Sequence, residues 1–268
     1  MAHANRLANK RVVVFGGTSG IGFGVANMAL SNGATVIISG SRQPKVDDKV
    51  ALMRTYYPSL APGTVSGHAL DLFDTANLDT GLKAFFDKVT HGGQEKINHI
   101  AFTAGDAFTQ IPNIRTTNAG EVIDGFRVRY LAPLAIAKLL ALHPDMYVAN
   151  EYQSSFTLTG GTNTHKPMPG WSVGAGWGGA IEALARGLAV DLRPVRVNMV
   201  EPGAVQTELL QGYVEKLGPG GLEQLKKEAG LTGELGQPGD LAETFGWLMR
   251  DWFADGTIAS STGGRYLA

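Results

Sequence analysis

A run of glycines and small hydroxyl residues lies near the start of the chain, between a short apolar segment and an amphipathic one. The run is Gly16-Gly17-Thr18-Ser19-Gly20-Ile21-Gly22, and the amphipathic segment begins at Phe23. Glycines there permit a tight turn with close backbone approach, and the N-terminus of a following helix offers unpaired N–H groups to a pyrophosphate. The position between a strand and a helix predicts a dinucleotide-binding turn. Its predicted cofactor-binding residues are Gly16, Thr18, Ser19, Gly20, Ile21 and Gly22.

The residues after the second apolar segment indicate which dinucleotide binds. An acidic residue there would bind the ribose 2′-hydroxyl of NAD and would repel the extra phosphate of NADP. This chain has Gly40-Ser41-Arg42 instead, with Lys45 close behind. A guanidinium beside a hydroxyl can hold a phosphate through charge-assisted hydrogen bonds. Ser41 and Arg42 therefore favour NADP(H), and the alternative is that Arg42 and Lys45 are solvated loop cations.

Short apolar segments rich in β-branched residues alternate with longer amphipathic stretches along the chain. This pattern is typical of βαβ units around a parallel sheet that is buried on both faces. The predicted strands are 11–15, 35–39, 64–70, 99–103, 155–159, 196–200 and one near Ile258. The predicted helices are 21–32, 46–57, 75–90, 118–142, 172–191 and 239–253, with Trp247 and Trp252 on the core face of the last. The fold class is therefore α/β, a Rossmann-type doubly wound sheet of seven mainly parallel strands with helices on both faces.

The stretch 203–238 is the least regular part of the chain. It contains Gly218-Pro219-Gly220-Gly221 and Gly236-Gln237-Pro238 around a charged helix. Such a long excursion usually covers a site, so we expect 203–238 to cover the substrate. No linker or repeat interrupts the rest of the pattern, and residues 1–268 are predicted to form a single dinucleotide-binding domain.

The composition of the chain indicates which kinds of partner and ligand to expect. Lys and Arg number 23 against 24 Asp and Glu, so no charge excess points to nucleic acid or to an anionic membrane, and a small-molecule substrate is expected. There are no cysteines, which excludes disulfides and thiolate ligands, and no metal site is predicted. Residues 1–10 lack an apolar signal core, and no later apolar run reaches membrane-spanning length. A cytoplasmic location is therefore expected.

Several motifs in the right order resemble the short-chain dehydrogenase/reductase family. The glycine run matches its T-G-x-x-x-G-x-G turn, with Phe15 in place of the threonine. Thr262-Gly263-Gly264 resembles the family's C-terminal D-G-G. The resemblance implies an adenine contact near Asp71, an N-A-G-like turn after strand four, a P-G-x-x-x-T segment beside the nicotinamide, and a homo-oligomer, either a dimer or a tetramer. The cofactor-binding residues that it adds are Asp71, Leu72, Thr103, Ala104, Gly105, Pro202, Gly203, Val205 and Thr207.

The catalytic group of ordinary family members has no counterpart here. Aligning Gly179-Ala180-Ile181-Glu182-Ala183-Leu184 with the family places Gly178 at its lysine and Gly174 at its tyrosine. The serine position falls on Gly161, next to Thr162, and the asparagine position on Arg129. A ketone that accepts hydride becomes an alkoxide and needs a positioned proton donor, whereas an iminium gives a neutral amine directly. The chain is therefore expected to act on an activated substrate, or to catalyse something other than hydride transfer.

Longer shared segments resemble the bifunctional reductase/Diels–Alderases of fungal malbrancheamide- and paraherquamide-type alkaloid pathways. They include Asp71-Leu72-Phe73-Asp74, Pro169-Gly170-Trp171-Ser172 and 186–192. This resemblance implies an NADPH-dependent iminium reductase that also templates an intramolecular cycloaddition, with Arg129 in the asparagine position. One departure is Met168, where that group has an aspartate thought to bind the cationic substrate. Glu201 is a candidate compensating carboxylate near the cofactor.

Two residues are assigned to catalysis, each with an alternative. Arg129 is expected to hold cofactor or substrate, or else to pair with Asp106 or another loop carboxylate. Trp171 could stack on an indole or a cation, or could anchor the start of a helix. Two alternative functions stay open: a carbonyl or enone reductase that uses His165, Thr162 or water as its acid, and a non-redox cyclase or sensor that retains NADP(H). Lys166 is a further candidate donor beside His165.

Overall fold

One parallel sheet of seven strands forms the centre of the computed structural model, which describes residues 3–105, 113–217 and 219–268. The strand order is β3-β2-β1-β4-β5-β6-β7, and every paired neighbour is parallel. The strands are β1 Arg11–Phe15, β2 Thr35–Gly40, β3 Val65–Ala69, β4 His99–Phe102, β5 Ser155–Thr159, β6 Arg196–Pro202 and β7 Ile258–Ser261. The predicted doubly wound α/β fold is confirmed.

Helices cover both faces of this sheet. They are α1 Gly20–Ser31, α2 Gln43–Tyr56, α3 Leu78–Val89, α4 Ala119–Phe126, α5 Ala132–Leu142, α6 Ser172–Asp191, α7 Glu208–Leu217, α8 Gly221–Ala229 and α9 Pro238–Arg250. Side chains alternate across β1: Val12 and Val14 pack with α1 and α9, whereas Val13 and Phe15 pack with α3, α5 and α6. Both faces of the strand are buried, which explains its continuous apolar sequence. Among the helices of the described residues, none is long and apolar enough to cross a bilayer.

One prediction on the helices was confirmed with a modification, and another was wrong. The segment expected as one helix over 118–142 is helical throughout 119–142, but it contains a π-helical turn at Arg127–Leu131 between α4 and α5. A π turn adds one residue to the helical repeat and is frequent at functional sites. The last helix ends at Arg250, so Trp252 lies beyond it under the guanidinium of Arg6, and Trp247 is 44% exposed. Neither tryptophan is on the core face of that helix.

His99 is a buried titratable group in the centre of the sheet. It lies opposite Ser155 in the β4–β5 register, and its Nδ1 is 2.9 Å from the Ser155 hydroxyl oxygen. Burial, together with the nearby positive charges of Arg196 and Lys10, lowers the pKa of His99 to about 3 from its usual 6.5. The imidazole is therefore neutral in the folded protein throughout the physiological range.

This depressed pKa predicts an acid-sensitive stability. Below pH 6.5 the unfolded chain binds a proton at His99 that the folded chain does not, so the free energy of unfolding should fall by about 1.4 kcal/mol per pH unit. Urea denaturation at pH 7, 6 and 5 measures this slope. The slope should be shallower in His99→Gln and unchanged in His91→Gln, whose histidine is exposed. Parallel curves for all three proteins would assign the acid sensitivity to other groups.

Candidate active site at the carboxyl ends of the strands

The glycine turn after β1 packs against the turn after β4. Gly16 has φ +81°, its N–H donates to the Ser39 carbonyl at 3.0 Å, and a Cβ there would lie 2.6 Å from the Ala104 nitrogen. The strand order reverses between β1 and β4, and doubly wound sheets open a ligand-binding crevice at such a point. The turn therefore lies where a dinucleotide binds in this architecture.

Gly22 allows α1 to begin directly above the end of β1. The Thr103 hydroxyl donates to the Phe15 carbonyl at 2.8 Å. A Cβ at Gly22 would lie 2.3 Å from both that hydroxyl oxygen and the Gly16 carbonyl oxygen, so any larger residue must displace backbone. Ser19 is the N-cap of α1 in an extended conformation. This places the N–H groups from Gly20 onward at the mouth of the crevice.

An anionic group already lies at the N-terminus of α1. The Gly20 N–H donates to Glu208 Oε2 at 3.1 Å, and a Cβ at Gly20 would meet the Thr207 methyl at 2.9 Å. The end of the predicted P-G-x-x-x-T segment therefore contacts the glycine turn, although the two are far apart in the sequence. A carboxylate at this position shows that the helix N-terminus accommodates negative charge, as a pyrophosphate requires.

The end of β2 has the features expected for a 2′-phosphate. Ser41 and Arg42 are exposed just beyond the strand, and Arg42 is the N-cap of α2. The Thr18 side chain is buried against Gly40, where a Cβ would come within 2.7 Å of its methyl group. The glycine turn and the end of β2 are therefore in direct contact.

Some predicted cofactor residues have a structural role. The side chains of Leu72 and Val205 are 7% and 6% exposed and belong to the core, so a cofactor would meet these two residues through their backbone, and their assignment stays a prediction. Asp71 is exposed, and its Oδ1 accepts from the Phe73 N–H at 2.9 Å. Gly203 donates to the Ser261 carbonyl at 3.0 Å, which joins the start of the Pro202-Gly203 segment to β7.

The Arg129 side chain lies beside the turn that follows β4. Arg129 belongs to the π turn, and its guanidinium covers Gly105: a Cβ added to Gly105 would lie 2.6 Å from Arg129 Nη2. The neighbouring Ala104 is the residue that Gly16 contacts. The structure thus brings Arg129 to the same crevice edge as the glycine turn. Asp106, the alternative partner, lies outside the described residues.

Gly174 and Gly178, which the family alignment assigns to its tyrosine and lysine, both lie on α6. A Cβ at Gly178 would lie 2.2 Å from the Thr164 hydroxyl oxygen, so a lysine there requires the Thr164 side chain to move. Thr162 is 8% exposed, which leaves little of it accessible to a substrate. Trp171 is half-buried immediately before α6, and its carbonyl accepts from the Ala175 N–H at 2.8 Å. That placement is compatible with both interpretations of Trp171.

His165 faces two buried carboxylates. Its Nε2 lies 2.9 Å from Glu182 Oε2 and 3.6 Å from Glu201 Oε1. Glu201 is 1% exposed, so its carboxylate is buried in this structure, and its role as a compensating carboxylate near the cofactor stays a prediction. Burial, and the Glu201 carboxylate beside it, raise the pKa of Tyr266, which covers the cluster. Sequence reasoning missed Glu182 and Tyr266, because no spacing links residues of four separate segments.

Lys166 is held by the C-terminal residues. Its Nζ donates to the Arg265 carbonyl at 3.0 Å and also to the carbonyl of Ala268. These bonds hold the ammonium against the end of the chain, which disfavours it as a proton donor to a substrate.

Comparison with known proteins agrees with this architecture. The family model for an SDR-like Rossmann domain matches residues 3–268. The short-chain dehydrogenase/reductase malC of Malbranchea aurantiaca is 35% identical, over 97% of this chain and 96% of its own, and ucsE of an Acremonium species is 35% identical over 99% and 98%.

Solved structures agree as well. The structure of the MalC reductase/Diels-Alderase matches with a TM-score of 0.87 over 99% of this chain and 100% of its own, at 35% identity. L-sorbose reductase of Gluconobacter frateurii, complexed with NADPH and L-sorbose, matches with a TM-score of 0.84 over 97% and 98%, and at 17% identity it shows the fold alone. The fold implies an oxidoreductase with a nicotinamide cofactor, and the chain belongs to the short-chain dehydrogenase/reductase family.

Proposed function

We propose that this protein is an NADPH-dependent reductase of an iminium or similarly activated substrate in a fungal type of secondary metabolism. One observation carries the proposal: a crevice suited to a dinucleotide lies beside an α6 in which Gly178 aligns with the family's lysine and the Thr164 side chain lies against this glycine. The fold supports the cofactor half of the usual site, and the alignment with the family supports the loss of its proton-donating half.

The chemistry follows from which groups are present. Bound NADPH supplies a hydride, and the protein must position the acceptor and balance its charge. A ketone needs a general acid because its product is an alkoxide. An iminium carbon is cationic before reduction and gives a neutral amine, so it needs no proton. Arg129, which stays protonated at any working pH, can hold an oxygen of substrate or cofactor but cannot act as that acid.

The geometry of His165 disfavours the carbonyl reductase alternative. Its Nε2 lies against Glu182 and Glu201, and both of these carboxylates are buried. A proton on Nε2 therefore points toward these two buried carboxylates, which disfavours its transfer to a substrate. The similarity to a reductase/Diels-Alderase instead supports an alkaloid-like substrate.

The segment 203–238 is proposed to cover the site. Its Thr207 lies against Gly20, and its Glu208 binds the Gly20 N–H. α7 begins at Glu208 and α8 follows it. These contacts anchor the start of the segment at the glycine turn, and we expect the rest of it to enclose a substrate beside the nicotinamide end. The single domain, the dimer or tetramer and the cytoplasmic location stay predictions.

The direct test compares two substrates of similar size. Oxidation of NADPH is followed at 340 nm with N-methyl-3,4-dihydroisoquinolinium as the iminium and with α-tetralone as the ketone. We expect turnover with the iminium and none with the ketone, and the reverse pattern would overturn the proposal. A prenylated alkaloid substrate with NADP⁺ in place of NADPH is the second arm. Cyclised product formed there without redox change would favour the non-redox cyclase.

We expect replacement of Glu208 to increase the affinity for NADPH. Because its carboxylate occupies the N-terminus of α1, Glu208→Gln should remove repulsion worth about 0.3–1 kcal/mol and tighten NADPH binding roughly 2- to 5-fold. The cofactor-free protein should lose a similar amount of stability. Fluorescence titration with NADPH and thermal unfolding measure the two effects. Glu215→Gln, on the same helix and exposed, is the matched control and should change neither. Weaker NADPH binding in Glu208→Gln would contradict the interpretation.

A further inference from the structure

We propose that His165, Glu182 and Glu201 form a binding site for a divalent transition-metal ion of the zinc class. Each residue offers one ligand atom, and the three atoms lie within 4.8 Å of one another. They come from the turn after β5, from α6 and from the end of β6. The site is independent of the proposed reductase function.

The arrangement of the outer oxygens supports a cation at the centre. Arg186 Nη2 lies 2.6 Å from Glu182 Oε1, and the Ser260 hydroxyl donates to Glu201 Oε2 at 2.8 Å. Each carboxylate thus has one oxygen fixed from outside and turns the other toward His165. Metal ligands are typically oriented by outer partners in this way.

The inner oxygens provide a second observation. Glu182 Oε2 and Glu201 Oε1 are buried and face His165 Nε2 at 2.9 and 3.6 Å, but neither oxygen makes a hydrogen bond of good geometry among the described residues. Glu182 and Glu201 are 6% and 1% exposed. Buried carboxylate oxygens are costly unless they are hydrogen-bonded or coordinate a metal. Two such oxygens that converge on one imidazole nitrogen form a buried negative site that a bound cation would neutralise.

The ligand types select the metal. One imidazole nitrogen with two carboxylate oxygens suits zinc, manganese or iron better than calcium or magnesium, which take oxygen ligands. His165 is half exposed, which leaves an open side for water as a further ligand. Tyr266 covers the other side with its ring 6.0 Å from that of His165. The ion would join the turn after β5 to β6 one residue before Pro202.

Cobalt(II) is a spectroscopic probe for this site. Tag-free protein is stripped with EDTA, desalted and titrated with CoCl2, and visible d–d absorption is recorded before ZnCl2 is added in competition. We expect saturation at one equivalent and displacement by zinc. His165→Asn and Glu201→Gln should each weaken cobalt binding by at least about 10-fold, the lower end of what loss of an outer-shell partner costs. Circular dichroism and NADPH binding check that the variants fold.

A surface histidine supplies the matched control. His91 Nε2 lies 3.9 Å from Glu95 Oε2, and both side chains are exposed. His91→Asn should leave the cobalt titration unchanged. If neither ligand variant folds, anomalous diffraction from cobalt-soaked crystals of the unaltered protein decides: density between the three ligands supports the site. The proposal is overturned by absence of a saturable signal, by a signal that both ligand variants retain, by loss of the signal in His91→Asn, or by density elsewhere.

Discussion

Replacing Arg129 with methionine should lower turnover of the iminium substrate by about 10²- to 10³-fold, the usual cost of removing one preorganised donor from an active site. Arg129 aligns with the family's asparagine in our sequence analysis, and its guanidinium lies on Gly105, just after β4. From there its N–H groups can hold an oxygen of substrate or cofactor in a fixed direction. Methionine keeps much of the stem but none of the donors.

Arg127 provides the control for this experiment. It lies on the same π turn, but its Nε is 2.6 Å from Asp124 Oδ1 and its guanidinium covers the Phe73 ring. Arg127→Met should therefore keep most of the turnover. Stopped-flow single turnovers separate the chemical step from binding. Wild-type turnover in Arg129→Met would show that this arginine has no role in catalysis. Loss of folded protein would show that it forms a structural ion pair instead.

The strands of this fold could be predicted because burial on both faces leaves a continuous apolar segment in the sequence. The predicted bounds 11–15, 155–159 and 172–191 match the structure. The glycine turn was predictable for a similar reason, since close approach at Gly16 and Gly22 excludes larger residues locally. Sequence patterns within single elements were therefore sufficient to predict both the fold and the glycine turn.

What could not be predicted depends on contacts between distant segments. The sequence spacing over 118–142 did not reveal the π turn at Arg127–Leu131, since one extra residue within a long apolar helix is a weak signal. The contact between Glu208 and Gly20 and the convergence of Glu182 and Glu201 on His165 join separate elements.

Arg42→Ala should reduce the preference for NADPH over NADH by about 10- to 150-fold, which corresponds to roughly 1.5–3 kcal/mol for hydrogen bonds to a charged group. The residue is exposed at the N-cap of α2, directly after β2, and Ser41 beside it is exposed as well. The NAD-type acidic residue is absent from this position. The guanidinium can therefore pair with the 2′-phosphate, a group that NADH lacks, so NADH binding should be nearly unchanged.

The selectivity ratio separates this role from a general electrostatic one. Lys49 lies on the same helix with its ammonium 5.1 Å from the centre of the Phe23 ring. Lys49→Ala removes the same charge and should alter the two dissociation constants little and in parallel. Fluorescence titrations of both dinucleotides at two salt concentrations provide the data, since a directed pair loses less to screening than a diffuse field. Equal weakening of both dinucleotides in Arg42→Ala would mean that the arginine only shapes the loop, and the NADPH assignment would lose its main support.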